Sequence, residues 1–318
     1  VRQYGQTAMQ VLSIVHRTEY AYREPVRFGE HRLLFRPRDS HDMRLVDSRL
    51  TIRPASQVWW MHDVFSNSVA VARFDEPADR LVFESVVVVE HYPSRNTDFG
   101  IADHARFLPF AYALDDLQDL GRTTARHHPD DGAIEAWARS FFTGDRTETM
   151  DLLRRMTESV RADFVYRPRF EEGVQSPAET LAHRRGTCRD FALLMMEAVR
   201  SLGLAARFVT GYVFDPAVEA GKVASSRAQD DPVVAPRLVS GGLPVQGAGA
   251  THAWLQVYLP GAGWVEYDPT NGIIGGENLI RVGVARDPSQ AIPLQGTFMG
   301  PAEAFEKMDV SVDVLRGN

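Results

Sequence analysis

Cys188, His252 and Asp268 are the side chains of this sequence best placed to do chemistry, and each sits in a local pattern that suits one part of a nucleophilic reaction. Cys188 is the single cysteine among 318 residues, in the stretch Gly186-Thr187-Cys188-Arg189-Asp190-Phe191-Ala192. From Phe191 onward the apolar residues recur at 191, 194, 195, 198, 199 and 202, a buried helical stripe that Gly203 stops. Cys188 therefore falls at or near the first turn of a helix. There the unpaired backbone N–H groups and the positive end of the dipole favour an anion, which is how a thiol becomes a nucleophile. By composition alone a lone cysteine is a small buried hydrophobe. This one precedes the apolar stripe instead of joining it, and Gly186 lets backbone approach it closely. Arg189 and Asp190 are expected to form a solvated first turn with a structural role, Asp190 supporting the dipole.

His252 and Asp268 belong to two consecutive strand patterns. In Thr251 to Tyr258, His252, Trp254 and Gln256 share one face, and in Gly263 to Asp268, Trp264, Glu266 and Asp268 do so. Pro260-Gly261-Ala262 turns the chain between them. If those three residues are the whole loop, Leu259 pairs with Gly263, His252 lies opposite Thr270, and Asp268 is its diagonal neighbour on the same face. That diagonal spans about 7–8 Å at the backbone, a gap an imidazole and a carboxylate can close. A four-residue loop would instead put the two on opposite faces unless a bulge intervened. Taken singly, His252 reads as a satisfied structural histidine. Joined to a thiol and a carboxylate, it completes a set in which the imidazole makes the thiolate and protonates the departing amine, while the carboxylate orients the ring.

The elements that must position these groups follow from patterning. Residues 9 to 93 read as β throughout, with short strands set off by Pro25, Pro37, Pro54, Ser66-Asn67-Ser68 and Asp75 to Asp79, the spacing of an antiparallel sandwich. His31, Arg32, Arg36 and Arg38 form a basic cluster, read as a solvated strand face rather than an anion site. Trp59 and Trp60 point to opposite faces of an extended segment, so one of them is expected in the core. Residues 94–130 loosen into a connection with short helical turns. His127, His128, Asp130 and Asp131 look like metal ligands but stand beside Pro129 just before a helix, where Asp is a common N-cap, so no metal site is expected. Amphipathic helices follow over Ile134 to Phe142 and Leu152 to Phe164, and Ser176-Pro177-Ala178-Glu179 has the form of a capping box opening a helix to about His183. Leu204 to Phe214 alternates as a strand. Residues 215–250 have no period, and residues 291–318 form a C-terminal segment with a strand. Residues 1–8 stand outside the fold as an extension.

Composition bounds the function. With 44% apolar and 24% charged residues the chain is an ordinary globular one, and a net charge of −7 gives no electrostatic reason to bind nucleic acid or a membrane surface. One cysteine excludes an intrachain disulfide framework and a cysteine-cluster zinc site. No apolar run reaches bilayer-spanning length and no secretory signal is apparent, so a cytoplasmic location is expected.

The motifs Gly-Thr-Cys188-Arg-Asp-Phe-Ala, Thr-His252-Ala-Trp254 and Gly-Trp-Val-Glu-Tyr-Asp268-Pro-Thr-Asn271-Gly, in that order, resemble the transglutaminase-like superfamily, the microbial branch of papain-like cysteine acyltransferases and peptidases. The opening His16-Arg-Thr-Glu-Tyr-Ala-Tyr and His31-Arg-Leu-Leu-Phe-Arg-Pro-Arg resemble the N-terminal β domain of this bacterial branch. The resemblance implies an α+β fold, with an N-terminal antiparallel β-sandwich over 9–93 and a papain-like, transglutaminase-like core over 131–290. It implies Cys188 as nucleophile, His252 as general acid/base and Asp268 as its partner, with Trp254, Tyr212 and Asn271 as candidate substrate-binding positions and no cofactor or metal. The expected activity is acyl transfer on amide bonds through a thioester (transglutaminase, deamidase or peptidase) on a protein or peptide, with an amine as possible acceptor. The alternative is an inactive scaffold that binds protein. No counterpart of the oxyanion-stabilising side chain of the animal enzymes, nor of their acidic calcium clusters, stands out.

Overall fold

The computed structural model describes residues 9–92, 100–167, 173–216, 246 and 249–317. Residues 1–8 and most of the aperiodic 215–250 stretch lie outside the described residues. The N-terminal part is a pair of antiparallel sheets, as its alternating pattern predicts. The long strand Gln10–Phe28 pairs with Ala78–His91, which pairs in turn with Met43–Arg53. In the second sheet Ser68–Arg73 lies between His31–Arg36 and Gln57–His62. Tyr22, Phe28, Leu33, Phe35, Leu81 and Phe83 fill the space between them.

Two expectations for this region are corrected. Trp59 and Trp60 are both exposed, because Gln57–His62 is an edge strand exposed along its whole length; neither enters the core, and Arg73 and Arg36 instead cover their rings at 4.8 and 5.8 Å. Within the basic cluster, His31 is buried among Phe28, Phe74 and Phe83 and bonds the Gly29 carbonyl at 2.9 Å, while Arg32 and Arg38 are exposed.

The C-terminal segment returns to this domain. Phe305–Arg316 pairs with the Leu12–Tyr22 part of Gln10–Phe28, with Leu12 facing Arg316 and Tyr22 facing Phe305, so the last strand joins the first sheet. Nothing local in its sequence gives this partner, since strand pairing is chosen by tertiary context.

The remainder is an α+β layer. A five-stranded antiparallel sheet runs in the order Ile273–Ile274, Gly263–Asp268, His252–Leu259, Ala206–Val213, Leu279–Ala285. The helix Cys188–Ser201 packs on its middle strands, supported by Ala133–Arg139, Thr149–Asp163 and Pro177–His183. Phe191, Leu194, Met195, Ala198 and Val199, the stripe legible in the sequence, are buried against Leu255, Val257 and Phe208. Each such side chain contributes roughly 1.5–3 kcal/mol by leaving water. The helix ends at Ser201, and Gly203 follows with φ +84°, a conformation glycine adopts without cost. The capping box at Ser176 is formed: its hydroxyl accepts from Glu179 N at 3.2 Å, and its own N–H donates to Glu179 Oε2 at 3.1 Å.

The two parts are joined by polar contacts. Asn67 of the first part donates to Val284 O at 2.7 Å and accepts from Val284 N at 2.9 Å, and Asp42 pairs with Arg281 at 3.2 Å.

Candidate active site

The first turn of the Cys188–Ser201 helix is fixed from within. Asp190 Oδ2 accepts from the Thr187 N–H at 2.8 Å and the Thr187 hydroxyl at 2.9 Å, and Oδ1 accepts from the Gln175 N–H at 2.7 Å. Asp190 is fully buried, which corrects its reading as a solvated residue; its structural role is to hold the loop before Cys188 against the helix. Gly186 is needed at its position, since a Cβ there would lie 2.9 Å from the Asp190 Cβ. Cys188 is the first helical residue, where backbone N–H groups have no intrahelical acceptor.

The hairpin takes the three-residue loop. Leu259 pairs with Gly263 and Leu255 with Tyr267, the register that puts Asp268 diagonal to His252 on one face. His252 Nε2 and Asp268 Oδ2 meet at 2.8 Å. Asp268 accepts three more bonds: from Asn271 Nδ2 at 2.8 Å, Thr270 N at 2.9 Å and Asn271 N at 3.3 Å. Burial alone would raise its pKa, but the His252 charge and these donors outweigh it and hold the carboxyl below the usual range.

The same balance acts on the imidazole. Burial would push His252 down, yet the Asp268 carboxylate beside it, helped by the Cys188 sulfur, raises it to about 10. The other ring nitrogen, Nδ1, is buried without a partner of ordinary hydrogen-bond geometry, while the Cys188 sulfur is near enough to act on the ring's proton affinity. A cysteine, a charged imidazole and a carboxylate thus lie in sequence of contact, an arrangement able to hold an imidazolium beside a sulfur nucleophile.

The site is more enclosed than the sequence suggests. Cys188 is 5% exposed, His252 1% and Asp268 0%. The sulfur-bearing residue is the member with surface left to reach, and burial of the other two keeps water from screening their charges.

The other candidates separate. Asn271 joins the site: its amide donates to Asp268 and stands 3.4 Å from His252 Nε2, and its carbonyl accepts from Gln246 N at 2.8 Å. Trp254 is wholly buried with its ring stacked on His252 at 5.9 Å, a wall behind the imidazole and not an open surface. Tyr212 is buried in the same apolar cluster as Cys188. Its hydroxyl bonds His16 Nδ1 at 2.9 Å, joining the two parts of the chain, and burial pulls His16 down to about 4, so the ring is neutral at physiological pH. The histidine and aspartate run before the first core helix is structural: His128 pairs with Asp287 at 2.9 Å and Asp130 accepts from Ile134 N at 2.8 Å. Among the described residues no group of three or more His, Cys, Asp or Glu is placed to hold a metal ion.

Tyr166 is the residue the sequence reading missed. It sits in the short strand Val165–Tyr166, which runs parallel to Arg185–Gly186 with Tyr166 facing Gly186, two residues before the cysteine. Burial pushes its hydroxyl up to about 12, so it stays a proton donor at neutral pH. A two-residue strand with one aromatic carries no periodicity by which to find it.

Comparison with known proteins agrees with this architecture. Residues 12–90 match the bacterial transglutaminase-like N-terminal region, and residues 135–269 match the transglutaminase-like superfamily. An uncharacterized protein of Mycobacterium tuberculosis is 31% identical, over 95% of this chain and 91% of its own length. One of Mycobacterium leprae is 29% identical, over 96% and 98%. A solved structure from Cytophaga hutchinsonii, provisionally described as a cysteine protease, superposes with a TM-score of 0.69 at 16% identity, covering 99% of this chain and 93% of that one, and so shares the fold. With both regions matched in order and relatives aligned over nearly their full length, the chain belongs to the transglutaminase-like superfamily.

Proposed function

We propose that this protein is a cysteine-dependent acyl-transfer enzyme acting on amide bonds of a protein or peptide through a thioester. Membership of the superfamily supports cysteine-dependent catalysis in general. The observation that carries the finer reading is the 2.8 Å bond between His252 and Asp268, both buried, beside a cysteine at a helix N-terminus. His252 takes the Cys188 proton as the reaction begins. The sulfur attacks the amide carbonyl carbon, and the carbonyl electron pair moves to oxygen. That oxyanion takes the Cys188 backbone N–H and the Tyr166 hydroxyl as its donors. As the tetrahedral species collapses, the C–N bond breaks and His252 delivers its proton to the departing amine, leaving a thioester and a neutral imidazole. Asp268 keeps the ring in place throughout, and Asn271 steadies Asp268. Neutral His252 then takes a proton from the acceptor, a lysine amine or water, as it attacks the thioester.

The near-complete burial of Cys188 favours a second reading, a scaffold that keeps the fold for protein binding. Incubation with a peptide bearing glutamine and lysine, followed by mass spectrometry, tests the first. Loss of ammonia between two side chains marks cross-linking, conversion of amide to acid marks deamidation, and fragments mark a peptidase. Wild-type protein is expected to give one of these and Cys188→Ala none. An unchanged peptide, with Cys188 alkylated by iodoacetamide no faster than a free thiol, would establish the scaffold.

A further inference from the structure

Away from the thiol, a cavity of about 660 Å³ opens between the two parts of the chain, in the size range of sites for small metabolites. Its first wall comes from the turn after His31–Arg36 and includes Arg38 and Asp42; its second comes from the five-stranded sheet and includes Arg207, Gln256, Glu266 and Arg281. Gln256 lies four residues along the strand from His252, about 13 Å away at strand spacing.

The three arginines are not equivalent. Arg281 is neutralised, with Glu266 at 2.6 Å and Asp42 at 3.2 Å. Asp42 and Glu266 are thereby occupied, and Asp39 accepts from Leu45 N at 2.5 Å. Arg207 has no carboxylate partner among the described residues. Its Nε donates to Gln256 Oε1 at 2.7 Å, its guanidinium lies 4.2 Å from the Trp264 ring, and the residue lines the cavity. Arg38 donates one bond, to the Phe65 carbonyl at 3.0 Å, and also lines the cavity. Burial and the charges of Arg281 and Arg38 pull Arg207 down to about 9, so the group is still a cation at neutral pH. A guanidinium held largely out of bulk water with no direct carboxylate bond is costly for Arg207, although the Glu266 charge offsets part of it, and the exposed Arg38 on the same cavity wall adds like-charge repulsion. A small oxyanion between them would relieve both costs with charge-assisted, bidentate hydrogen bonds.

We propose that the interdomain cavity is a binding site for a small oxyanion-bearing molecule, a carboxylate or phosphate compound, held between Arg207 and Arg38 with Gln256 and Trp264 fixing the Arg207 fork. The site is separate from the Cys188 chemistry and does not depend on it. It accounts for the basic residue Arg38, which the thiol site leaves without a role.

Isothermal titration of the intact protein with inorganic phosphate, with citrate, and with chloride at matched ionic strength tests the site. Saturable one-to-one binding of phosphate or citrate, but not chloride, is expected, and which of the two binds names the ligand class. Arg207→Gln and Arg38→Gln should each weaken binding roughly tenfold or more, whereas Cys188→Ala should leave it unchanged. Arg38 is exposed, so Arg38→Gln carries the test even if Arg207→Gln fails to fold. Absence of saturable binding by both anions, or affinity unaltered in Arg38→Gln, would overturn the proposal.

Discussion

His252 Nε2 stands 2.8 Å from Asp268 Oδ2, with both side chains sealed from solvent and sixteen positions apart along the hairpin. The bond joins the first residue of one strand to the last of the next, so the hairpin register and the His252–Asp268 geometry are a single fact. Asp268→Asn keeps the shape but removes the charge. It should lower kcat/KM on the order of 10²-fold or more, with circular dichroism unchanged.

The pH profile follows from the same pair. His252 is raised to about 10 from an ordinary 6.5, so the imidazolium needed to protonate the leaving amine persists well above neutrality. The alkaline limb of kcat/KM should fall near pH 10 in the wild type and move toward neutrality in Asp268→Asn. Because the folded value lies above the unfolded one, the stabilisation from protonated His252 is complete below about pH 6.5 and is lost as pH rises through about 10. Melting temperatures of wild type and Asp268→Asn, compared across that range, should converge as the pH rises. A constant gap would refute the assignment.

Tyr166 should act on rate and not on substrate affinity. Tyr166→Phe removes the hydroxyl proposed as an oxyanion donor, and a loss of about 10²- to 10³-fold in kcat with KM little changed is expected. Steady-state kinetics on the glutamine peptide decides this. A change confined to KM would return Tyr166 to a packing role.

Glu197 and Arg200 form a wholly buried pair at 2.9 Å on the cysteine helix. Glu197 also accepts from the His127 and His128 N–H groups, and Arg200 donates to the carbonyls of Thr123, Ala206 and Arg286. Glu197→Ala strands a buried guanidinium and should cost about 3–5 kcal/mol in urea unfolding. Below its melting transition, alkylation of Cys188 should proceed at the wild-type rate.

Gly211 faces His252 across the strand pair, and a Cβ there would lie 2.1 Å from the Ile280 carbonyl and 2.8 Å from Trp254. Backbone cannot yield cheaply, so Gly211→Ala should cost about 1–3 kcal/mol and displace the ring stacked on His252. Calorimetry and turnover should therefore fall together.

The stripe from Phe191 to Leu202, the capping box at Ser176 and the order of the three motifs were determined by sequence alone, whereas the choice of a three-residue turn at Pro260 over a four-residue one was made by the strand register. The stripe and the capping box depend on neighbours a few residues apart, where side-chain period and caps act locally. Tertiary structure decided the rest. Phe305–Arg316 returns to pair with the first strand, Tyr166 is set beside Gly186 by a two-residue parallel contact, and Tyr212 bonds His16 of the N-terminal part. Asp190 is buried by packing that its polar flanks do not reveal, and both tryptophans at 59 and 60 stay outside because their strand is an edge. These outcomes rest on pairings over tens to hundreds of residues, where burial and hydrogen-bond satisfaction are settled by partners that a local pattern does not contain.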